Sequence, residues 1–146
     1  MDSPGLRTSD FVVRRAGGND PPHDRIRLHV VREGTGPPVI LLHGFPEFWY
    51  SWRKQIAPLA AAGYAVSAPD MRGFGETGIP PRLADYDIQT GAVIDVIAIM
   101  DQLKIARAHI VGHDFGAPVA WMLAAQKPDR FISLSALSVG HTRAFL

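Results

Sequence analysis

The chain has 146 residues, of which 47% are hydrophobic, 15 are Lys or Arg and 14 are Asp or Glu, and it contains no cysteine. The length suits one domain with a buried core, and the apolar content excludes an intrinsically disordered chain. A net charge of +1 provides no basic surface for nucleic acid. The lack of cysteine excludes disulfides, thiolate metal sites and a cysteine nucleophile. The sequence therefore predicts a single domain over residues 1–146.

The first residues do not have the pattern of a secretory signal. An acid and a proline stand in Met1–Gly5, where a signal peptide has basic and then apolar residues. The chain has no run of about 18 apolar residues, and its longest apolar stretch, Val93–Met100, is interrupted by Asp95. We therefore expect no membrane partner and a cytoplasmic location.

Turn residues and hydrophobic periodicity divide the chain into alternating strands and helices. The second strand alternates apolar with other residues and is predicted to be half-buried, whereas the third to fifth are continuously apolar and are predicted to be buried on both faces. The predicted strands are Phe11–Arg14, Ile26–Val31, Val39–Leu42, Tyr64–Ala68, Ala108–Val111 and Phe131–Val139. The predicted helices are Trp52–Ala62, Ile88–Leu103 and Gly116–Gln126, and residues 17–22 and 71–82 are predicted loops.

Strands that alternate with helices indicate the α/β class, with a mainly parallel sheet and flanking helices. In such sheets, ligands bind at the carboxyl ends of the strands. The candidate functional residues are therefore sought in the loops that follow Leu42, Ala68, Val111 and Val139, and three of these four loops contain unusual residues.

The turn after the fifth predicted strand has the sequence Gly112-His113-Asp114-Phe115-Gly116. Its two outer glycines permit the sharp strand-to-helix turn of a nucleophile elbow, in which the middle residue is usually serine. Here the middle residue is a carboxylate, which needs no base to ionise it, and the N-terminus of the next helix favours its charge. A carboxylate nucleophile suits attack on an alkyl carbon, which gives an ester that water must cleave. The alternative is that Asp114 only caps the helix.

The turn after the third predicted strand, His43-Gly44-Phe45-Pro46, lies at the same edge of the sheet. An oxyanion that forms during ester cleavage needs two preorganised N–H donors. In an elbow protein one donor is the residue after the nucleophile, here Phe115, and the other lies in this loop, where we predict Phe45. The alternative is a rigid Gly/Pro turn, and His43 is interpreted as structural rather than as a base.

Two further segments have several interpretations. The aromatic residues 48–52 either line an apolar pocket or pack in the core, and core packing is the interpretation for Trp52. In the loop after the fourth predicted strand, we expect a local contact between Asp70 and Arg72.

Three segments together resemble the α/β-hydrolase family, in its epoxide hydrolase branch. The order and spacing of His43–Arg53, Asp70–Thr77 and Gly112–Gly116 agree with that family. The resemblance implies that this chain is the N-terminal portion of an α/β-hydrolase fold. It implies that Asp114 opens an epoxide by backside attack, and that a histidine paired with an acid activates water to cleave the ester.

The resemblance also assigns the surrounding residues. Phe45 and Phe115 would supply the oxyanion N–H groups, Trp49 would face the substrate pocket, and two tyrosines of a helical lid would bind the epoxide oxygen. The residues that support these motifs are His43, Gly44, Pro46, Gly112, His113 and Gly116. The implied partners are a small apolar epoxide and water, with no metal and no cofactor.

Two positions depart from the family. Phe115 stands where this branch and the related haloalkane dehalogenases often have tryptophan, and phenylalanine has no indole N–H for a halide. Dehalogenation is therefore the weaker alternative, and Asp114 in the nucleophile position disfavours a serine esterase. Thr77 stands where the family usually has serine.

The resemblance places the water-activating histidine, its acid, the final strands and the lid in a second half that this sequence does not contain. The histidines other than His43 are His23, His29, His109, His113 and His141. Of these, His141 lies past the carboxyl end of a predicted strand, where it would have to approach the site to act as the base. We therefore expect an incomplete, inactive portion of an epoxide hydrolase. The alternative from another class is a non-catalytic α/β domain that binds a partner through its exposed sheet.

Overall fold

The structure, a computed structural model, describes residues 5–14, 25–141 and 143, and these contain one six-stranded sheet. The predicted loop at 17–22 lies outside the described residues. All six predicted strands are present, with ends that differ from the predicted ones by a few residues. They are β1 (Arg7–Arg14), β2 (Arg25–Glu33), β3 (Pro38–Leu42), β4 (Ala65–Pro69), β5 (Ala108–His113) and β6 (Phe131–Leu137).

The sheet is mainly parallel, as predicted. Its strand order is β1-β2-β4-β3-β5-β6. Strands β4, β3, β5 and β6 are parallel to one another, whereas β2 runs antiparallel to both β1 and β4. The carboxyl ends of the four parallel strands therefore lie at one edge, which brings together the three loops that contain the candidate residues.

In the described part of the chain, three α-helices accompany the sheet, each at a predicted position: α1 (Arg53–Ala61), α2 (Val93–Gln102) and α3 (Gly116–Gln126). The predicted first helix begins as a 3₁₀ turn at Trp49–Trp52, and the predicted second one begins as a π-helical turn at Ile88–Ala92. Two short 3₁₀ turns lie at Leu83–Tyr86 and Pro128–Arg130. Among the described residues, no helix has the length and apolarity needed to cross a bilayer.

Alternate residues of β3 belong to two apolar clusters, one on each face of the sheet. Ile40 and Leu42 pack with residues of α2 and α3, whereas Val39 and Leu41 pack with Trp52 and α1. This arrangement confirms the prediction that the third strand is buried on both faces. It also confirms core packing for Trp52, which is 9% exposed.

The prediction of a half-buried β2 is only partly correct. Ile26, Leu28 and Val30 are buried as the alternation indicates, but His29 and Val31 are buried too. Val31 joins the apolar cluster under α1, and the ring of His29 is hydrogen-bonded to Asp70. The second half of this strand is therefore covered on both faces, because loops as well as helices pack on it.

The predicted contact between Asp70 and Arg72 is wrong. Arg72 instead donates two hydrogen bonds of 2.7 Å to the carboxylate of Asp95 in α2, and a third to the carbonyl of Asp85. Burial raises the pKa of Asp95, and the hydrogen bonds and charge of Arg72 oppose that rise. The acid that interrupts an apolar stretch of sequence thus anchors α2 to the loop after β4.

We expect Asp95→Ala to lower the free energy of unfolding by about 3–5 kcal/mol, because it leaves the buried guanidinium of Arg72 without its carboxylate. Asp101→Ala is the control, since Asp101 pairs with Arg130 but its side chain is 60% exposed, and such a pair contributes about 0–1 kcal/mol. Urea denaturation followed by circular dichroism measures both changes. Equal, small losses in the two variants would contradict the anchoring role of Asp95.

Candidate active site

Asp114 occupies the sharp turn between β5 and α3. Its φ of 50° lies in the left-handed region, which a residue with a side chain adopts only where the surrounding structure enforces it. Its N–H donates to the carbonyl of Leu137 at 3.1 Å, and its own carbonyl accepts from the N–H of Ala117 at 3.0 Å. The turn is therefore fixed to the end of β6 on one side and to the first turn of α3 on the other.

Three glycines of the predicted motifs allow the backbone segments around Asp114 to approach closely. A side chain at Gly116 would collide with the carbonyl of Leu42, and one at Gly112 would collide with the carbonyl of Gly116. A Cβ atom at Gly44 would lie 2.7 Å from the Cβ of Asp114. Glycine is required at Gly112 and Gly116 because backbone segments come within contact of each other, and at Gly44 because the side chain of Asp114 lies against it.

The two predicted oxyanion donors meet at the predicted nucleophile. The N–H of Phe45 donates to Oδ1 of Asp114 at 2.9 Å. This bond, and then the nearby N–H of Phe115, lower the pKa of Asp114 below its ordinary value, and the charge of His113 lowers it further. The site therefore holds an ionised carboxylate, with its charge stabilised by backbone dipoles.

The geometry of Asp114 does not match the alternative of a helix cap. The residue that precedes α3 is Phe115, and no side-chain capping bond is made there. Asp87 shows what a capping aspartate in this chain looks like, since its carboxylate accepts from the N–H of Thr90 at 2.9 Å at the start of a helix. The carboxylate of Asp114 instead binds across to the loop after β3.

His43 is buried and has a structural position, in agreement with its interpretation from sequence. Its Nε2 accepts from the N–H of Met71 at 2.9 Å, so its proton lies on Nδ1, 2.8 Å from the carbonyl oxygen of Gly44 to which it donates. Burial lowers the pKa of His43, which keeps the ring neutral. With both nitrogens engaged, the ring holds the loop after β3 and is not available as a base.

Glu47 and His113 link the two turns and were not predicted to contact each other. Glu47 Oε2 accepts from the N–H of Gly44 at 3.1 Å and lies 3.5 Å from Nδ1 of His113. Beside them opens a cleft of about 280 Å³. Its lining residues are Glu47, Ser51, Trp52, Gln55, His113 and Leu137. In the sequence, the position of Glu47 directly after Pro46 could have indicated a role in this loop. Its contact with His113 could not have been predicted, because His113 lies in a different turn.

The aromatic side chains divide between the surface and the core. Phe45 and Phe115, next to Asp114, are 66% and 38% exposed. Trp49 is half-buried and packs against the apolar cluster under α1, and it does not line the cleft. Pro46 is exposed and follows Phe45 through a cis peptide bond. Two exposed phenylalanines therefore neighbour Asp114, one bonded to its carboxylate through its N–H and the other adjacent to it in the chain.

No histidine is hydrogen-bonded to Asp114 within the described part of the chain. His29 binds Asp70, His109 lies 2.7 Å from the hydroxyl of Ser133, and the ring of His141 lies 5.1 Å from that of Trp121. His23 lies outside the described residues. In the same described ranges, no three acidic or histidine side chains are grouped as a metal site requires.

Comparison with known proteins identifies the family. A family model described as the alpha/beta hydrolase fold matches residues 37–144. Epoxide hydrolase 2 of Siraitia grosvenorii is 47% identical over 118 residues, which are 81% of this chain and 37% of that protein. Epoxide hydrolase B of Mycobacterium tuberculosis is 45% identical over 122 residues, which are 77% of this chain and 33% of that protein.

Solved structures agree with this assignment. An epoxide hydrolase of Vigna radiata superposes with a TM-score of 0.80 at 38% identity, over 92% of this chain and 39% of that one. Epoxide hydrolase A of Mycobacterium thermoresistibile superposes with a TM-score of 0.78 at 39% identity, over 91% of this chain and 40% of that one. This chain thus spans about two-fifths of the length of such relatives. It belongs to the α/β-hydrolase fold family, and the relatives that it resembles are epoxide hydrolases.

Proposed function

We propose that this chain carries the nucleophile and the oxyanion hole of an epoxide hydrolase, and that Asp114 is its catalytic residue. One observation carries the proposal. An ionised carboxylate stands at the strand-to-helix turn with its Oδ1 bound to the N–H of Phe45, and its charge is further stabilised by the N–H of Phe115. The similarity to epoxide hydrolases supports the choice of an epoxide as substrate.

The first step forms an ester. An oxygen of Asp114 attacks one carbon of the epoxide from the side opposite the ring oxygen, the bond between that carbon and the ring oxygen breaks, and the released alkoxide takes a proton from an acid or from water. Because Oδ1 is occupied by the N–H of Phe45, the other carboxylate oxygen, Oδ2, is the attacking atom. The exposed rings of Phe45 and Phe115 offer an apolar surface to a small apolar epoxide.

The second step cleaves the ester. Water gives up a proton to a base or to solvent as its oxygen adds to the carboxyl carbon of Asp114, and the negative charge of the tetrahedral intermediate develops on Oδ1, to which the N–H of Phe45 already donates, with the N–H of Phe115 beside it. These donors are in place before the charge forms, which is the condition under which an oxyanion hole lowers a barrier. Collapse of the intermediate releases the diol and restores the carboxylate. No described histidine is assigned to the activation of this water.

We expect the chain, when incubated with styrene oxide, to gain the mass of one epoxide on the peptide that contains Asp114, because ester formation needs only the carboxylate and the substrate. Intact-protein and peptide mass spectrometry detect the adduct. Asp114→Asn should abolish it, since an amide is a very weak nucleophile.

Asp87→Asn is the matched control for this experiment. Asp87 is exposed, whereas Asp114 is half-buried; Asp87 also has a pKa lowered by backbone N–H groups, but it caps a helix outside the proposed site. The control variant should form the adduct at the rate of the parent chain. An adduct that survives Asp114→Asn, or that maps to Asp87, would contradict the assignment of the nucleophile.

The pH dependence of adduct formation follows from the lowered pKa of Asp114. The rate should stay level as the pH falls through the range in which an ordinary aspartate takes up a proton, and should decrease only below that range, because protonation removes the nucleophile. Mass spectrometry of the Asp114 peptide measures the rate, and circular dichroism at each pH checks that the chain stays folded. If the rate begins to fall at or above the pH range in which an ordinary aspartate is protonated, the result would contradict the lowering of the pKa of Asp114 by backbone N–H groups.

Phe115 allows the dehalogenase alternative to be tested. We expect a 1-bromoalkane to alkylate Asp114 far more slowly than an epoxide does, because Phe115 offers no donor to the departing halide. Phe115→Trp should raise alkylation by the bromoalkane about tenfold or more, the effect of one hydrogen bond to a charged group, and should leave the reaction with the epoxide nearly unchanged. Efficient halide release from the parent chain would favour the dehalogenase alternative instead.

A further inference from the structure

The segment Asp70–Thr77 contributes no group to the proposed chemistry, yet its first residue is one of the most buried carboxylates in the described structure. The side chain of Asp70 has no exposed surface. A carboxylate without access to water is retained only where protein donors satisfy its oxygens. The identity of those donors therefore indicates what Asp70 does.

The donors to Asp70 come from three separate segments. Its Oδ1 accepts from the N–H of Trp49 at 2.7 Å. Its Oδ2 accepts from the N–H of Glu76 at 3.0 Å and lies 2.9 Å from Nδ1 of His29 in β2. Thr77 reinforces this arrangement, since its hydroxyl donates to the carbonyl of Asp70 at 2.6 Å and accepts from the N–H of His29 at 3.0 Å.

Trp49 connects Asp70 to the loop that holds the oxyanion donor. We call residues 43–49 the oxyanion loop. Its first half is held by the ring of His43, and its Phe45 donates to Asp114. The bond from Trp49 to Asp70 fixes the other end of this loop, at the start of the 3₁₀ turn.

A second contact reaches the oxyanion loop from the same segment. The ring of Phe74 packs edge-on against the rings of Phe45 at 5.9 Å and His43 at 5.5 Å. Gly75, with a φ of 54°, turns the chain tightly around the carboxylate of Asp70, where a Cβ atom would collide with it. The segment thus supports the oxyanion loop both through a buried charge and through an aromatic contact.

We propose that Asp70, held by His29, is a positioning residue that keeps the N–H of Phe45 directed at the carboxylate of Asp114. The inference rests on the proposed function and extends it to two residues that do not touch the reacting atoms. A carboxylate suits this role because it accepts three hydrogen bonds at once. An amide in its place would present an acceptor on one side only and would place a donor against donors on the other.

The competing explanation is that Asp70 only stabilises the fold. Asp95 is a comparison for that case, since it is also buried, is bonded to a basic side chain, and has no hydrogen bond to the oxyanion loop. If both carboxylates are merely structural, removing either one should change the pKa of Asp114 to the same extent. If Asp70 positions the oxyanion loop, only the removal of Asp70 should change that pKa.

The experiment measures the pKa of Asp114 by side-chain ¹³C NMR in the parent chain, Asp70→Asn and Asp95→Asn. We expect the pKa of Asp114 to rise toward the ordinary aspartate value in Asp70→Asn, because the bond from Phe45 is the largest cause of its lowering. It should stay unchanged in Asp95→Asn. His113, the titratable side chain whose charge acts on Asp114, is present in all three chains. An unchanged pKa in Asp70→Asn, or equal rises in both variants, would overturn the inference.

A second pair of variants tests the inference even where Asp70→Asn does not fold. His29→Asn keeps an N–H donor near the position of Nδ1, whereas His29→Leu removes it. We expect the pKa of Asp114 to rise in His29→Leu and to return toward the parent value in His29→Asn. The same pKa in both would overturn the supporting role of His29.

The lifetime of the epoxide adduct separates this inference from the proposed function. In mild alkali, hydroxide cleaves the ester on Asp114, and the oxyanion donors still accelerate that reaction. The adduct of Asp70→Asn should therefore persist about tenfold longer or more than the parent adduct, whereas that of Asp95→Asn should not. A parent chain that forms no adduct would refute the proposed function, while the NMR titration, which uses no epoxide, would still decide whether Asp70 positions Phe45.

Discussion

The position of the Asp114 carboxylate depends on how closely two backbone turns approach each other at the carboxyl end of the sheet. Gly44 lies against the Cβ of Asp114, and Gly116 lies against the carbonyl of Leu42, so a side chain at either glycine would separate the two turns. With the turns in contact, the N–H of Phe45 comes within 2.9 Å of the carboxylate. The charge is then stabilised mainly by backbone dipoles, with a smaller contribution from His113, and the dipole of Phe45 is directed at the carboxylate before any charge develops in a reaction.

Two buried carboxylates hold the loops that surround this contact. Asp70 collects donors from β2, from the oxyanion loop and from its own loop, while Asp95 engages Arg72 and so joins α2 to that same loop. Burying each charge has a desolvation cost, which is offset only because every oxygen has partners at good distances. The loops at this edge are therefore placed mainly by directional bonds, whereas the helices are placed by apolar packing on the two faces of the sheet.

Local patterns were sufficient to predict the elements of the fold and the sharp turn at Asp114, whereas the role of Asp114 was predicted from the resemblance to a family. Continuous apolar runs predicted the strands, and the glycines on either side of Asp114 predicted the sharp turn, because both depend on neighbouring residues alone. Contacts between distant residues could not be predicted in this way. Arg72 was expected to bind Asp70, two positions away, but it binds Asp95, 23 positions away. The burial of His29 likewise depends on a partner 41 residues later, which only the folded chain brings near.

The location of β5 within the sheet has a consequence for distances at the site. Only β6 separates β5 from the edge of the described sheet, and Ile132 and Leu137 of β6 are exposed. Neighbouring strands lie about 4.8 Å apart, so a further strand paired with β6 would run about 10 Å from the strand that carries Asp114. If that strand were parallel, its last residues would emerge at the same edge as Asp114. A loop that follows such a strand would need to pass only over the end of β6 to bring a side chain to the carboxylate of Asp114.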